Sequence, residues 1–401
     1  MPFKNATSVA LVNRAPPDAG KGTERTLCSV GNELVRRGRQ VYYICDKAFV
    51  GDRVGLPIEP LFDIVSTEFT KLGPMYHVSN RLFKGLGLGN IYLSTFALTP
   101  IIPTHNYRTV LGLHTLGPER RQHGISSLSF GKIEMRFMAV AASALYNRSR
   151  VVLHAENREQ AQWITTNGFS RFQVAVIPPP LENPYLFADA KLWGEAHDFT
   201  LLFLGGLSER KGFPVFLEIM EKLEKQTTQM HFHYAIAGTG PLESVGKEVA
   251  RSRQRTHFYS TVNEQDKNLL LNTCTLLISP SFEENYHLVI REAQTCGLPV
   301  LCNNLSGPRE LVKRSKMGHL VENNNVDAYV QAVLQVEALW RTDRASYLNF
   351  RKQIANSAKE IGDGSIESHQ IADLIEGISY PAWNTPDRRT SLEEAVIGKH
   401  R

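Results

Sequence analysis

The most informative segment of this 401-residue sequence is Ser279-Pro-Ser-Phe-Glu-Glu-Asn-Tyr-His-Leu-Val-Ile-Arg-Glu-Ala-Gln-Thr-Cys-Gly-Leu-Pro-Val300. The apolar run before it predicts a strand that ends at Ser279, and the helical spacing after it predicts a helix from near His287. The loop therefore places Glu284 at the carboxyl edge of a sheet, with Glu292 in the second turn of the helix. Ligands of open α/β sheets bind at that edge, where the amides of a helix start can receive an anion. Two carboxylates beside such a site are suited to hydrogen-bonding the hydroxyls of a sugar or a ribose.

Strands and helices alternate on both sides of this segment. The predicted strands are residues 9–13, 41–45, 107–113, 151–154, 200–204, 233–237, 276–279 and 299–302. The predicted helices are residues 20–38, 132–146, 214–223, 288–296, 327–339 and 345–360. Alternation of this kind predicts an α/β protein with doubly wound parallel sheets.

The length favours two domains, because a single core rarely grows to 401 residues. The stretch Pro178-Pro-Pro-Leu-Glu-Asn-Pro184 is the most rigid and least regular part of the chain, and it lies near the middle. We interpret it as the linker. The predicted domains are residues 1–180 and 181–380, followed by a polar tail at 381–401.

The composition, 42% hydrophobic and 21% charged, is that of a soluble globular protein. No apolar run approaches the roughly 20 residues of a membrane-spanning helix, and the first apolar stretch, residues 8–12, is too short for a secretory signal. The five cysteines are dispersed without CxxC spacing, which argues against a disulfide framework or a structural zinc site. We therefore expect a cytoplasmic protein.

The net charge of +5 is unevenly distributed. Residues 1–180 contain 21 basic and 12 acidic residues, a balance of +9, and the remainder contains 24 and 28, a balance of −4. A basic first half indicates an anionic partner there. Because the basic residues are not interleaved with aromatics in a compact patch, we do not expect nucleic-acid binding.

The segment at 279–300 resembles the E-x7-E signature of the GT4 family, which comprises retaining glycosyltransferases of the GT-B fold. Glu284 and Glu292 are the two glutamates, and the flanking Pro-Ser and Glu-Ala…Gly-Leu-Pro-Val match the family's usual context. The resemblance implies two Rossmann-like domains, an N-terminal acceptor-binding and a C-terminal nucleotide-sugar-binding domain, separated by a cleft.

Further segments follow in the family's order. Phe203-Leu-Gly-Gly-Leu-Ser-Glu-Arg-Lys-Gly-Phe213 resembles the loop that carries the diphosphate-binding lysine, here Lys211. Ala237-Gly-Thr-Gly-Pro241 resembles a Gly-x-Gly-Pro turn whose glycines allow close backbone approach. In the first half, Gly20-Lys-Gly-Thr-Glu24 resembles the loop where donor phosphate and acceptor meet, and Leu111-Gly-Leu-His-Thr115 resembles the strand end that carries a sugar-contacting histidine, here His114.

The resemblance implies retaining transfer of a sugar from a nucleotide-sugar, for which we expect UDP, to a glycan, lipid-linked or other hydroxyl acceptor in cell-surface polysaccharide or glycoconjugate biosynthesis. The expected catalytic residues are His114, Lys211 and Glu284. The expected substrate-binding residues are Gly22, Glu24, Gly205, Gly206, Arg210, Gly238, Asn285, Tyr286, His287, Leu288 and Glu292. No cofactor and no metal are expected, since the sequence contains no Asp-x-Asp.

Two positions depart from the family pattern. Gly206 stands where an arginine usually binds the diphosphate, and Arg210 is a candidate to replace it. The loop Asn285-Tyr-His287 stands where Gly-Phe-Gly is common, and the bulk of His287 is expected to affect which sugar fits.

Other readings of the sequence stay open. The same fold hosts sugar-nucleotide epimerases and phosphorylases, and Gly206 also fits a non-catalytic subunit that binds a sugar nucleotide without turnover. The predicted helix at 132–146, flanked by arginines, is either part of the core or a face for an anionic membrane surface, which would make the protein peripheral at the inner face.

Overall fold

A computed structural model of the chain describes residues 8–17, 22–49, 57–72, 75–78, 80–95, 107–114, 150–195, 197–226, 232–315, 318–322 and 325–378. These residues form two parallel β-sheets flanked by helices and one antiparallel ribbon. The predicted α/β class and the two parallel sheets are confirmed. The predicted helix at 132–146 and the tail from 381 lie outside the described residues.

The described strands before residue 177 are β1 (Ser8–Val12), β2 (Gln40–Asp46), β3 (Asp63–Thr67), β4 (Thr70–Leu72), β5 (Met75–His77), β6 (Leu88–Leu93), β7 (Arg108–Gly112), β8 (Val151–Ala155) and β9 (Gln173–Val176). β4 and β5 form the ribbon, and the others form one parallel sheet in the order β3-β2-β1-β6-β7-β8-β9. β8 is buried along its whole length, as expected for a strand covered on both faces. The strand order reverses between β1 and β6, which opens a crevice at their carboxyl ends.

The described α-helices of this part are α1 (Gly22–Arg36), α2 (Asn80–Gly85) and α3 (Arg158–Ile164), which continues into a π-helical turn at Thr165–Phe169. α1 buries one face, including Leu27, Val30 and Leu34, which is the apolar face predicted from the sequence. The helix ends where Gly38 takes a φ of 77° and its N–H bonds the carbonyl of Val35 at 2.8 Å. A residue without Cβ adopts that conformation without strain.

The second sheet contains β10 (Thr200–Leu204), β11 (His233–Ala237), β12 (Thr256–Tyr259), β13 (Leu276–Ser279), β14 (Val300–Asn303) and β15 (His319–Val321). Its order is β12-β11-β10-β13-β14-β15, and all pairs are parallel. The order reverses between β10 and β13, so the loops after these two strands flank the second crevice.

The helices after the linker are α4 (Ala190–Glu195), α5 (Phe213–Gln226), α6 (Glu243–Ser252), α7 (Glu264–Thr273), α8 (Leu288–Thr295), α9 (Ser306–Ser315), α10 (Val326–Thr342), α11 (Arg344–Ile361) and α12 (Ser365–Glu376). Asn263 caps α7 and Asn325 caps α10, each accepting a hydrogen bond from a backbone N–H three residues on.

The last described helix, α12, packs on the first domain. Ile371, Leu374 and Ile375 are fully buried in the cluster that contains the inner face of α1. Arg37 of the first domain forms ion pairs with Asp373 and Glu376, both at 2.7 Å. The domain bounds stay a prediction, but the predicted second domain, 181–380, includes this helix, which the structure places against the first.

The two segments that cross between the sheets lie side by side. Residues 177–183 have no regular secondary structure, in line with the predicted linker. Arg291 of α8, 2% exposed, donates to the carbonyl of Pro179 at 3.3 Å and to that of Gly362 at 3.2 Å. Its charge is paired with Glu367 at 3.3 Å. The buried guanidinium of Arg291 thus bonds to both segments that connect the two sheets.

Candidate active site

A cleft of about 780 Å³ lies between the two sheets. The first domain contributes residues at the start of α1 and just after β7 and β8, and the second contributes the loops after β10, β11 and β13. Both sets include strand carboxyl ends next to a reversal in strand order. The architecture therefore brings the two ligand-binding edges face to face.

Two glycines allow the loops of the second domain to approach each other closely. Gly238 has a φ of 144°, and a Cβ built on it would lie 1.9 Å from the carbonyl oxygen of Gly205. Gly212 has a φ of 72°, and its Cβ would lie 1.9 Å from the carbonyl oxygen of Pro280. No side chain fits at either position, and at Gly205 and Gly238 the backbone itself lines the cleft.

Lys211 and Glu284 form an ion pair at the centre of the second domain's edge. The Lys211 ammonium contacts Glu284 Oε1, which also accepts a hydrogen bond from the Ser281 hydroxyl at 2.9 Å. Burial would raise the pKa of Glu284, but the positive charge of His287 and then that of Lys211 lower it to about 2. Glu284 is therefore ionised at neutral pH.

His287 lies beside this pair, with Nε2 3.5 Å from Glu284 Oε1. Burial lowers the pKa of His287 to about 4, and the attraction of Glu284 offsets this only in part. At neutral pH the imidazole is neutral and fills space where the family commonly has glycine.

Glu292 belongs to a buried network of four charges. Its Oε1 accepts from Arg25 of α1 at 2.6 Å and from Lys267 of α7 at 2.7 Å. Both cations also pair with Glu264, at 2.7 Å and 2.6 Å respectively. Burial would raise the pKa of Glu292, but the charges of Lys267 and Arg25 lower it. Glu292 Oε2 accepts no hydrogen bond from the described part of the chain.

His114 lies on the opposite wall, two residues after β7. Its Nδ1 is 2.6 Å from Glu156 Oε1, and its Nε2 is 2.9 Å from the hydroxyl of Tyr92. Both ring nitrogens are thus engaged by side chains of the first domain. Its backbone carbonyl accepts a hydrogen bond from the Asn285 side chain of the second domain at 2.9 Å.

Glu24 lines the cleft near the start of α1 and is 5% exposed. Its Oε1 accepts from Asn13 at 2.8 Å, and its Oε2 is buried without a partner among the described residues. A buried carboxylate oxygen with an unused lone pair is a strong acceptor for a ligand hydroxyl.

The loop after β13 joins the two domains. Asn285 accepts a hydrogen bond from the Asn157 side chain through its carbonyl and donates to His114. Gly22 at the start of α1 faces Leu288, since a Cβ on it would lie 3.4 Å from the leucine side chain. Tyr286 is buried in the core of the second domain. The segment that departs from the family pattern is therefore an interdomain contact.

The cleft brings together every residue that the sequence predicted for the site. The lining includes Gly22, Glu24, His114, Gly205, Gly206, Arg210, Lys211, Gly238, Glu284, Asn285, Tyr286, His287, Leu288 and Glu292. Their chemical roles stay predictions.

Four charged residues of the cleft were missed: Arg25, Glu156, Lys267 and Glu283, which directly precedes the predicted Glu284. Arg25 directly follows the predicted loop and Glu156 lies two residues after the predicted strand 151–154, so the position near a strand or loop end was the available signal. Lys267 carries no such signal, because it lies inside a helix.

Among the described residues, no group of three or more His, Cys, Asp or Glu side chains is placed to hold a metal ion. No helix in these same ranges has both the length and the apolar character that a membrane span requires.

Residues 198–338 match the family described as Glycosyl transferases group 1. An uncharacterized glycosyltransferase of Methanocaldococcus jannaschii is 26% identical over 44% of this chain and 46% of its own length. Phosphatidyl-myo-inositol mannosyltransferase of Mycobacterium tuberculosis is 25% identical over 45% of this chain and 47% of its own length. The chain thus spans about half the length of the curated relatives it matches.

Solved structures resemble the fold over most of the chain. Sucrose-phosphate synthase of Thermosynechococcus elongatus superposes with a TM-score of 0.72 at 16% identity, covering 92% of this chain and 98% of that one. WaaG, a glycosyltransferase involved in lipopolysaccharide biosynthesis, superposes with a TM-score of 0.69 at 16% identity, covering 92% of this chain and 100% of that one. Anabaena HepE in complex with UDP-glucose superposes with a TM-score of 0.66 at 16% identity, covering 92% of this chain and 99% of that one. These likenesses confirm the predicted GT-B fold.

Proposed function

We propose that the protein transfers a sugar from a UDP-sugar to a hydroxyl acceptor with retention of anomeric configuration, because residues 198–338 match the group 1 glycosyltransferase family. The observation that carries the proposal is the contact of Lys211 with Glu284 in the cleft, at the carboxyl edge of the second sheet. In this pair, the Lys211 ammonium can bind a diphosphate and the Glu284 carboxylate can accept hydrogen bonds from sugar hydroxyls, and the two groups are in direct contact.

The nucleotide is proposed to bind the second domain. The diphosphate lies against the loop amides at Gly205 and Gly238 and against Lys211. Glu292 accepts hydrogen bonds from the ribose through Oε2, since Oε1 is already held by Arg25 and Lys267. The donor of the solved complex with HepE, UDP-glucose, supports a UDP-sugar here.

The reaction is proposed to depend on stabilisation of the leaving group. The bond between the anomeric carbon and the diphosphate breaks through an oxocarbenium-like state, and the departing charge is balanced by Lys211 and the loop amides. The acceptor hydroxyl attacks from the leaving-group face and loses its proton to a diphosphate oxygen. Binding across both walls of the cleft also excludes water, which would otherwise hydrolyse the donor.

The acceptor is proposed to bind the basic first domain and to be a glycan or a lipid-linked sugar. Two relatives support this class: the mycobacterial relative is a phosphatidyl-myo-inositol mannosyltransferase, and an Escherichia coli protein, 28% identical over 33% of this chain, is an O-antigen chain mannosyltransferase. The positive balance of residues 1–180 supports an anionic acceptor or membrane surface. Sedimentation with anionic vesicles at low salt tests the membrane part, and a protein that stays in the supernatant contradicts it.

The first experiment is a thermal-shift panel of UDP-, GDP-, ADP- and dTDP-sugars on the wild-type chain. A ligand that binds the native state raises the unfolding temperature by an amount set by its affinity. We expect stabilisation by UDP-sugars. Stabilisation by another base alone would replace the proposed donor.

The second experiment tests the chemistry. Lys211→Ala and Glu284→Ala are expected to lower sugar transfer at least 100-fold, whereas Lys225→Ala, a control at an exposed lysine of α5, leaves it unchanged. Transfer near the wild-type rate in the first two variants would remove their proposed roles. An epimerised sugar nucleotide as the product, or donor binding without turnover, would replace transfer as the function. The anomeric configuration of the product, read by NMR, tests retention.

A further inference from the structure

Four side chains of the first domain form a continuous hydrogen-bonded chain beneath the cleft wall. From Glu156 it passes to His114 at 2.6 Å, to the Tyr92 hydroxyl at 2.9 Å and to His154 Nδ1 at 2.7 Å. It ends at the carbonyl oxygen of Ile177, 2.7 Å from His154 Nε2. The residues come from the adjacent strands β6, β7 and β8 or directly follow them, so the sheet itself sets their spacing.

The terminal carbonyl sets the direction of every bond, because a carbonyl only accepts. His154 Nε2 must carry a proton to donate to Ile177. Burial and, after it, the charge of His114 lower the pKa of His154 to about 3, so the ring is neutral and Nδ1 accepts from Tyr92. The Tyr92 oxygen then accepts from His114 Nε2.

This direction fixes the state of the last pair. His114 Nε2 is a donor, so Nδ1 and Glu156 Oε1 share one further proton. Glu156 Oε1 is therefore occupied by the contact with His114 Nδ1. Glu156 Oε2 accepts no hydrogen bond from the described residues, and Glu156 lines the cleft.

The local backbone is shaped to keep the chain intact. A Cβ built on Gly112 would lie 2.6 Å from the Tyr92 hydroxyl and 2.9 Å from His114 Nε2. Gln160 accepts from the N–H of Glu156 and donates to the carbonyl of Leu113, both at 2.7 Å, which ties the end of β7 to that of β8.

From this geometry we infer that Glu156 contacts the sugar of the donor, with Oε2 accepting a hydrogen bond from a sugar hydroxyl. His114 and Tyr92 are positioning residues that orient the carboxylate. The inference rests on the proposed function and deepens it. The resemblance assigned the sugar contact to His114, but both ring nitrogens of His114 already have hydrogen-bond partners, so Glu156 makes the contact instead.

The test compares UDP with UDP-glucose by calorimetric titration of the full chain. Glu156→Gln is expected to lower the affinity for UDP-glucose about tenfold and to leave that for UDP within twofold, because only the sugar loses a charged acceptor. Glu221→Gln, an exposed glutamate of α5, is the matched control and changes neither. Equal effects of Glu156→Gln on both ligands, or an effect on neither, would overturn the inference.

A second measurement separates positioning from folding. The Nδ1 nitrogen shift of His114 is expected to change in Glu156→Gln, because that nitrogen shares a proton with Glu156 Oε1, while the Nε2 shift stays that of a donor. An unchanged Nδ1 shift in the variant contradicts the shared proton. If the wild-type chain binds neither UDP nor UDP-glucose, the UDP-sugar proposal fails before any variant is made, and this inference fails with it.

Discussion

The guanidinium of Arg25, in the first turn of α1, lies 2.6 Å from Glu292 Oε1 in the second domain. The side chains are 16% and 3% exposed, so the contact is shielded from solvent and salt. The proposed ribose carboxylate is therefore held by a residue of the opposite domain. The contact thus ties the proposed nucleotide site to the arrangement of the two domains.

Removal of this contact is expected to weaken both stability and donor binding. Arg25→Ala should lower the free energy of unfolding by about 2 kcal/mol, less than for an isolated buried pair because Lys267 still neutralises Glu292. Urea unfolding measures this. Arg36→Ala, on the same helix but 53% exposed, should cost less than about 0.5 kcal/mol. Equal losses in the two variants would show that the cross-domain contact contributes nothing.

Arg210 is expected to carry part of the charge that the usual arginine at position 206 would supply. It is exposed and lines the cleft next to Lys211. Arg210→Glu should weaken binding of the donor nucleotide about as much as Lys211→Glu, at least tenfold, whereas Arg255→Glu, an exposed residue outside the cleft, should not change it. An unchanged affinity in Arg210→Glu excludes the compensation.

Gly206 leaves room for the arginine that the family usually has there. A Cβ at this position would have its nearest contact 3.9 Å away, and its φ is not in the left-handed region. Gly206→Arg is therefore expected to fold normally and to bind UDP about fivefold more tightly, since a charge-assisted bond contributes about 1 kcal/mol at an exposed site. Calorimetry with UDP checks this, with Gly206→Glu as the variant of opposite sign. Weaker binding in Gly206→Arg would show that this loop does not face the diphosphate.

Acid is expected to destabilise the fold through its buried histidines. Burial lowers the pKa of His154 from 6.5 to about 3 and that of His287 to about 4, so the unfolded chain takes up protons that the native state does not. Each contributes stability that is complete above pH 6.5 and is lost toward its folded pKa, with a slope of up to about 1.4 kcal/mol per pH unit. Urea unfolding at pH 7, 6 and 5 measures the slope. His154→Gln should reduce it, and an identical slope in that variant would contradict the assignment.

Helix α12 is expected to stabilise the first domain although it follows the second in sequence. Ile371→Ala removes a fully buried side chain from the cluster beneath α1 and should cost about 3 kcal/mol. Hydrogen exchange of the α1 amides should rise in the same variant. Ile366→Ala, on the same helix but 61% exposed, is the control and should leave exchange unchanged. Protection of α1 that survives Ile371→Ala would argue against the packing.

Some elements were predictable because their apolar runs are bounded by clear turn residues. The predicted bounds of β11 and β13 are those of the structure, and α8 begins at Leu288, as predicted. The central strand β6 was not predicted, because Gly89 and Asn90 inside it are typical of turns. Pairing with β1 on one edge and β7 on the other overrides that preference.

The sequence by itself predicted the two sheets, because apolar runs alternate with helical spacing, and its resemblance to glycosyltransferase motifs named fourteen residues that line the cleft. Only the tertiary structure decided the partners of these residues. Arg25 and Glu292 are 267 positions apart, and His114 and Glu156 are 42 apart. Such contacts depend on how strands are ordered and how two domains close, and neither leaves a periodic signal in the chain.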